Sequence, residues 1–267
     1  MNPAVSVVIR VYNGERHLRE ALDCALAQTF DDFEIVVIDD GSTDGSAAIL
    51  AACDDPRLRV IRQPNGGKIA AAMRGLHEAR GRYVAILDAD DRCAPDRLAR
   101  QAAFVVARPD VVLLGTALAV IDERGERIGV RRYPLDDAEL RRAAVVYNPF
   151  AHSSLMMHRE TALAVGGYSH KVVVEDYDLN LRMMRAGRCA NLPQVLAEYR
   201  IRTDAVDTKL VKVVLKSTIH ARSVAHREYG FPRTLRSTAV DAAQRALCLT
   251  PGAFVNWLTV RAFYRGA

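Results

Sequence analysis

Phe33-Glu34-Ile35-Val36-Val37-Ile38-Asp39-Asp40-Gly41-Ser42-Thr43-Asp44 is an apolar run that ends abruptly in two carboxylates and a glycine. A short, nearly continuous apolar run closed by turn residues reads as a strand buried on both faces, the kind found in parallel sheets. Gly41 permits a tight turn, Ser42 or Thr43 suits the cap of a following helix, and Asp44 favours its first turn. The same unit recurs on either side. Val5–Val11 (interrupted by Arg10), Leu58–Arg62 and Tyr83–Leu87 read as further strands, with helices near 15–28, 43–53, 67–80 and 95–107. Strands alternating with helices of this length predict an α/β fold with a largely parallel central sheet and helices on both faces. Ligands in such sheets bind beyond the carboxyl ends of the strands, which directs attention to Tyr12-Asn13, Asp39-Asp40, Gln63 to Lys68, and Asp88 to Asp91.

The remainder of the 267 residues is less regular. Val111 to Asp122, a turn at Gly125 and Ile128 to Tyr133 suit a hairpin, followed by a helix from Asp136 to Val146. His152 to His158 reads as a strand, Glu175 to Ala186 as a helix, and Val195 to Ile201 as a last strand. Beyond Arg202 the chain reads as basic amphipathic helices broken at Phe231-Pro232 and Pro251-Gly252. We expect a main unit over 1–202, with halves 1–107 and 108–202, and a helical appendage over 203–267. The charge follows that division: residues 201–267 hold 11 Lys/Arg against 4 Asp/Glu, leaving 26 against 28 before them. Arg245 and Arg261 bracket fifteen uncharged residues that include Phe254 and Trp257, a pattern that suits a membrane-surface helix or a helix packed on the main unit or a second subunit. No recognition motif accompanies the positive charge, which argues against nucleic-acid binding. Five widely spaced cysteines without a C-x-x-C pair fit a reducing compartment. Neither a secretory signal pattern nor an apolar stretch of about 20 residues is found, so the expectation is a cytoplasmic protein, with peripheral contact at the inner membrane face through the tail.

Four segments carry the chemistry. Asp88, Asp90 and Asp91 crowd the end of one strand, where hard cations such as Mg²⁺ or Mn²⁺ find oxygen ligands and substrate phosphates complete the shell. The competing role is that of turn residues before the helix opened by Pro95, with Cys93 or Ala94 at its cap. Asp40 offers a hydrogen-bond acceptor to a nucleobase imide or a ribose, a role the turn alone does not explain. Gln63-Pro64-Asn65-Gly66-Gly67-Lys68 opens a helix whose start favours an anion such as a diphosphate. Neither this segment nor the first strand end has the G-x-G-x-x-G fingerprint or a Walker A loop, which removes the dehydrogenase and P-loop readings. Finally, Glu175-Asp176-Tyr177-Asp178 opens a helix, either as plain dipole partners or with Asp176 or Glu175 as a general base.

In that order Val5 to Ile9 with Tyr12-Asn13, Gln28 to Asp44, Asn65-Gly66-Gly67, Leu87 to Asp91 and Glu175-Asp176 resemble the family 2 inverting glycosyltransferases of GT-A fold, over about residues 4 to 200. The resemblance implies a nucleotide-diphosphate sugar donor, most often a UDP-sugar, on the first half, and a saccharide or lipid-linked saccharide acceptor on the second. Tyr12 and Asp40 match positions that contact the base, Asp88 the ribose side, and Asp90 the metal carboxylate, with Asp91 its neighbour. Asp176 matches the catalytic base and Glu175 its companion, while His152 and Ser153 to Met157 match the acceptor-side strand. The chain departs from the family at Ile69 and Met73, where serine and asparagine are common, and at Arg202, near a common histidine. Lys68 and Arg202 are then expected to supply positive charge to the diphosphate. A non-catalytic nucleotide-sugar-binding protein on the same fold is the alternative. The set of carboxylates at 40, 88, 90 and 176 argues for catalysis instead, and a nucleotidyltransferase would need a glycine-rich basic loop after the first strand that is absent.

Overall fold

A computed structural model describes residues 2–169, 173–201 and 208–250. Among these residues nine strands form one sheet: β1 (Val5–Val11), β2 (Phe33–Asp39), β3 (Leu58–Arg62), β4 (Tyr83–Asp88), β5 (Arg92–Cys93), β6 (Val111–Ile121), β7 (Arg127–Arg131), β8 (Met156–His158) and β9 (Arg188–Arg200). Their order is β3-β2-β1-β4-β8-β6-β9-β5, with β7 paired to β6 as the expected hairpin. Neighbours β3, β2, β1 and β4 run parallel, as do β6 and β9, while β8 inserts antiparallel between β4 and β6.

β1, β2 and β4 are buried on both faces because helices cover both. Val5, Val7 and Ile9 pack with α1 (Leu18–Leu26), α2 (Ser46–Ala51) and α4 (Arg97–Ala107) in one core. Val8, Val36 and Ile38 face the opposite core, built on α3 (Lys68–Glu78), α5 (Asp137–Ala144), α6 (Arg159–Ala164) and α7 (Glu175–Ala186). This is the period-two alternation of a strand expressed as two apolar layers. Gly75 of α3 sits so close to β1 that a Cβ there would meet Val8 at 2.4 Å, so glycine lets that helix lie against the sheet. Register aligns Val11 with Asp39 and Arg10 with Asp88, which brings the carboxyl ends of three strands to one level.

Two further helices follow, α8 (Thr208–Glu228) and α9 (Leu235–Leu249). Ala221, Ala225 and Phe231 join the core that contains α7, and the Tyr229 hydroxyl donates to Asp178 at 2.9 Å. Among the described residues no helix is long and apolar enough to cross a membrane. Arg202 and residues 251–267, which include Phe254 and Trp257, lie outside the described residues. Three local expectations change. The stretch from His152 to His158 divides into a 3₁₀ turn (His152–Ser154) and the short β8, because the Ser154 hydroxyl turns back to the Ala151 carbonyl. β9 begins at Arg188 rather than Val195, since it pairs with β6 on both sides of an irregularity near Pro193. The cap of α4 is Asp96, not Cys93 or Ala94, which are drawn into or beside β5.

Candidate active site

A cleft of about 810 Å³ opens at the level where β1, β2 and β4 end, lined by Arg10, Tyr12, Asp40, Lys68, Asp88 and Asp90 among others. The loops after β1 and β2 are knitted together. Ser42 Oγ accepts from the Asn13 amide at 3.0 Å, Asn13 Oδ1 accepts from the Thr43 amide at 2.8 Å, and Ser46 Oγ accepts from the Gly14 amide at 2.9 Å. Gly41 turns through φ 78°, a left-handed conformation that glycine adopts without strain. Tyr12, 53% exposed, stands at the rim.

Asp40 is buried and already engaged. Its Oδ1 accepts from Gln63 Nε2 at 2.7 Å and the Gly66 amide at 2.9 Å, and its Oδ2 from the Gly67 amide at 2.8 Å. Just before α3, where the sequence pattern suggests a diphosphate, the Gly66 and Gly67 amides are therefore taken by the protein's own carboxylate. The partners lie more than twenty positions apart in sequence, so no local pattern reveals the pairing.

The acidic strand end divides by orientation. Asp88 and Asp90 line the cleft. Asp88 accepts from Arg10 Nε at 3.3 Å and from Ser153 Oγ at 3.0 Å. Burial opposes its charge, but Arg10, His152 and Ser153 outweigh that and hold the carboxyl below the usual range. Asp91 turns inward instead: it is buried, accepts from the Arg200 amide at 2.8 Å and contacts the Ser153 hydroxyl. Burial, with the charges of Asp88 and Asp90, pushes its carboxyl well above the usual range. Expected as a second metal carboxylate, Asp91 is thus placed as an internal tie between β4 and β9. The Arg200 side chain completes that tie by donating to the Asp90 carbonyl at 2.8 Å and pairing with Glu20 at 2.7 Å.

The first turn of α7 carries Glu175 and Asp176. Glu175 is buried, with Lys68 Nζ at 2.7 Å and Arg10 Nη1 at 3.3 Å. Burial would raise its carboxyl, but the hydrogen bond and charge of Lys68 and the charge of Arg10 prevail and lower it. Lys68 also donates to the Val173 carbonyl at 3.0 Å, so α3 and the approach to α7 are joined by its ammonium. Asp176 is half-buried, and its Oδ2 accepts from Asn148 Nδ2 at 2.9 Å. The Asn148 amide is itself oriented by Asn180 Nδ2, which donates to its Oδ1 at 3.0 Å. His152 stacks edge-on against Tyr168 with ring centroids 5.8 Å apart, and burial pulls the imidazole below its ordinary pKa.

The structure therefore brings together Tyr12, Asp40, Lys68, Asp88 and Asp90 at one cleft and joins Glu175-Asp176 to it through Arg10 and Lys68. Sequence reasoning passed over Arg10, which looked only like an interruption of β1, although a guanidinium inside a buried strand signals an internal anion. Asn148 and Arg200 carry no such pattern. Of the family departures, Ile69 is buried in the core, and Met73 Sδ accepts from the Tyr168 amide at 2.9 Å. Both substitutions serve packing here. Among the described residues no group of three His, Cys, Asp or Glu forms a ready-made metal cage. The cleft instead presents Asp90, a hard oxygen donor of the kind Mg²⁺ or Mn²⁺ takes singly or in pairs when phosphate oxygens fill the other positions.

Residues 6–166 match Glycosyl transferase family 2. The chain belongs to that family. The amylovoran biosynthesis glycosyltransferase AmsE of Erwinia amylovora is 33% identical over 236 residues, covering 85% of this chain and 88% of its own. The putative glycosyltransferase EpsE of Bacillus subtilis is 34% identical over 212 residues, covering 76% and 74%. Among solved structures, S. aureus TarS 1–349 in complex with UDP superposes with a TM-score of 0.68 at 18% identity, covering 100% of this chain and 73% of that one. The mannosyltransferase PcManGT from Pyrobaculum calidifontis, in complex with GDP-Man and Mn²⁺, superposes with a TM-score of 0.66 at 19% identity, covering 100% and 89%. These likenesses establish the GT-A fold for this glycosyltransferase.

Proposed function

We propose that this glycosyltransferase moves a sugar from a UDP-sugar donor to a hydroxyl of a saccharide or lipid-linked saccharide in polysaccharide biosynthesis, with inversion at the anomeric carbon. The observation that carries the reading is that Asp88 and Asp90 line the cleft from the β4 end while Arg10 and Lys68, which line it too, bind Glu175 in the first turn of α7, next to Asp176. Tyr12 and Asp40 receive the base, and Asp88 faces the ribose side. Asp90 holds the divalent cation, Mg²⁺ or Mn²⁺, which when bound offsets the charge that builds on the departing diphosphate. Lys68 adds positive charge at the cleft wall, and Arg202, outside the described residues, is proposed to serve the diphosphate as well.

In this reading the acceptor oxygen attacks the anomeric carbon in line as the bond to the diphosphate oxygen breaks. The hydroxyl is a weak nucleophile, so its proton must leave as the new bond forms, and Asp176 takes it. Asn148 occupies one oxygen of that carboxylate and fixes its plane, leaving the other for the proton. Glu175 does not touch substrate. It holds Arg10 and Lys68 in place. We assign the transferase unit to residues 1–202 and the appendage to 203–267, whose described part is seated through α8 on the core that contains α7.

The test is a panel of nucleotide sugars with Mg²⁺ or Mn²⁺, scored for nucleoside diphosphate release and thermal stabilisation. A UDP-sugar that is turned over with acceptor supports the reading. Stabilisation by nucleotide sugars with no release under any acceptor would instead favour a binding protein.

A further inference from the structure

A second concavity, of about 490 Å³, lies away from the cleft between α8 and α9. Lys216, His220, Ser223 and Arg227 line it from α8, at spacings of four, three and four that place them on one helix face. Arg245 and Cys248 close it from α9, and Ile219 is the remaining lining residue. No acidic side chain is among these. The reason lies in how the two helices use their acids. Asp241 is the only acid of α9, and it points inward, where it pairs with the buried Arg222 at 2.6 Å. Arg222 also donates to the Val146 carbonyl at 2.8 Å, so the buried charge of α8 is matched from within. Glu228, the only acid of α8, stands at its last residue and outside the groove.

Elsewhere the surface arginines are commonly matched: Arg74 with Glu78, Arg100 with Asp96, Arg108 with Asp110. Lys216, Arg227 and Arg245 have no acidic partner among the described residues. Like charges gathered round a groove repel one another, and folding gains nothing from the arrangement. A bound dianion reverses that balance, with guanidinium and ammonium groups as charge-assisted donors and Ser223 as a hydroxyl donor.

We propose that the α8–α9 groove is a binding site for a phosphate group, carried either by an anionic lipid headgroup or by a soluble phosphate. This site is separate from the cleft, and it stands whether or not the donor reading is correct.

The test uses the full chain in EDTA. Inorganic phosphate is titrated by calorimetry, and co-sedimentation is measured with phosphatidylcholine vesicles with and without phosphatidylglycerol. The variant Lys216→Ala/Arg227→Ala/Arg245→Ala changes exposed residues only, and a melting temperature equal to wild type verifies its fold. A control, Arg74→Ala/Arg100→Ala/Arg108→Ala, removes the same charge elsewhere. The expected result is a loss of at least about tenfold in affinity in the groove variant and less than about threefold in the control, given the contribution of each basic residue near an anionic surface. Loss in the phosphate arm identifies a soluble ligand, and loss in the vesicle arm alone identifies the headgroup. Equal loss in both variants, or no loss in either arm, overturns the proposal.

Discussion

Replacing Glu175 with glutamine tests the electrostatic joint between the two sides of the cleft. The substitution keeps the size of the side chain and removes its charge, leaving Arg10 and Lys68 without their shared anion. Breaking a buried ion pair typically costs about 3–5 kcal/mol. Two features reduce that here: Arg10 retains Asp88 at 3.3 Å, and Lys68 is 55% exposed, so water solvates its ammonium. We therefore expect a destabilisation of about 1–3 kcal/mol at neutral pH, a fall in melting temperature of roughly 3–9 °C at about 3 °C per kcal/mol for a chain of this size. The pH dependence carries the sign. The Glu175 carboxyl is lowered in the folded protein, so its stabilisation is complete above the unfolded value of about 4.3 and is lost as acid protonates it in the folded state. Wild type and Glu175→Gln should thus converge below about pH 4. Thermal melts by circular dichroism across this range supply the assay. A fall of less than about 1 °C at neutral pH, or a gap that widens on acidification, would refute the account of this joint.

Asp90→Ala, or EDTA with wild type, should weaken UDP affinity at least about tenfold by calorimetry, in keeping with the loss of a cation bridging carboxylate and diphosphate. Unchanged affinity in both would remove the metal from the mechanism. Asp91→Asn should retain at least about a third of wild-type turnover, because a carboxyl pushed well above its usual range is replaced by a neutral amide of similar shape. The same variant should gain stability relative to wild type as pH rises from about 4 toward neutrality, since the folded protein holds the Asp91 proton more tightly than the unfolded chain. Asn148→Ala should lower kcat about tenfold or more while leaving the donor KM within about twofold, as expected for a residue that orients the base without touching the nucleotide. A matched change in KM alone would assign Asn148 to substrate binding.

The parallel half was legible because β1, β2 and β4 are covered on both sides and read as apolar runs. Val5–Val11, Phe33–Asp39 and Leu58–Arg62 are found at those bounds, and β4 extends only one residue past Leu87. α7 was equally plain, since an acidic first turn announces its start. β5 has two residues, too few to make a pattern, and exists because Arg92 and Cys93 pair with Glu198 and Ala197 more than a hundred positions away. β9 begins at Arg188 rather than at the expected Val195 because its pairing with β6 continues past an irregularity near Pro193, a long-range contact that no local pattern shows. Within the site, the carboxylates at strand and helix ends stand out because acids at the end of an apolar run need a reason. Their partners do not. Arg10 meets Asp88 and Glu175, and Asn148 meets Asp176, only after strands and helices from distant parts of the chain are packed together.

The central claim is that Asp176 accepts the acceptor's proton, and Asp176→Asn tests it most directly. Asparagine keeps the shape and serves a helix start well, so a merely structural aspartate should tolerate the change. Loss of a general base typically costs on the order of 10² to 10⁴ in rate. Steady-state transfer measured alongside donor affinity should show turnover falling by at least about a hundredfold, with UDP-sugar binding within about twofold of wild type. Retention of more than about a tenth of wild-type turnover would contradict the assignment of Asp176 as the base.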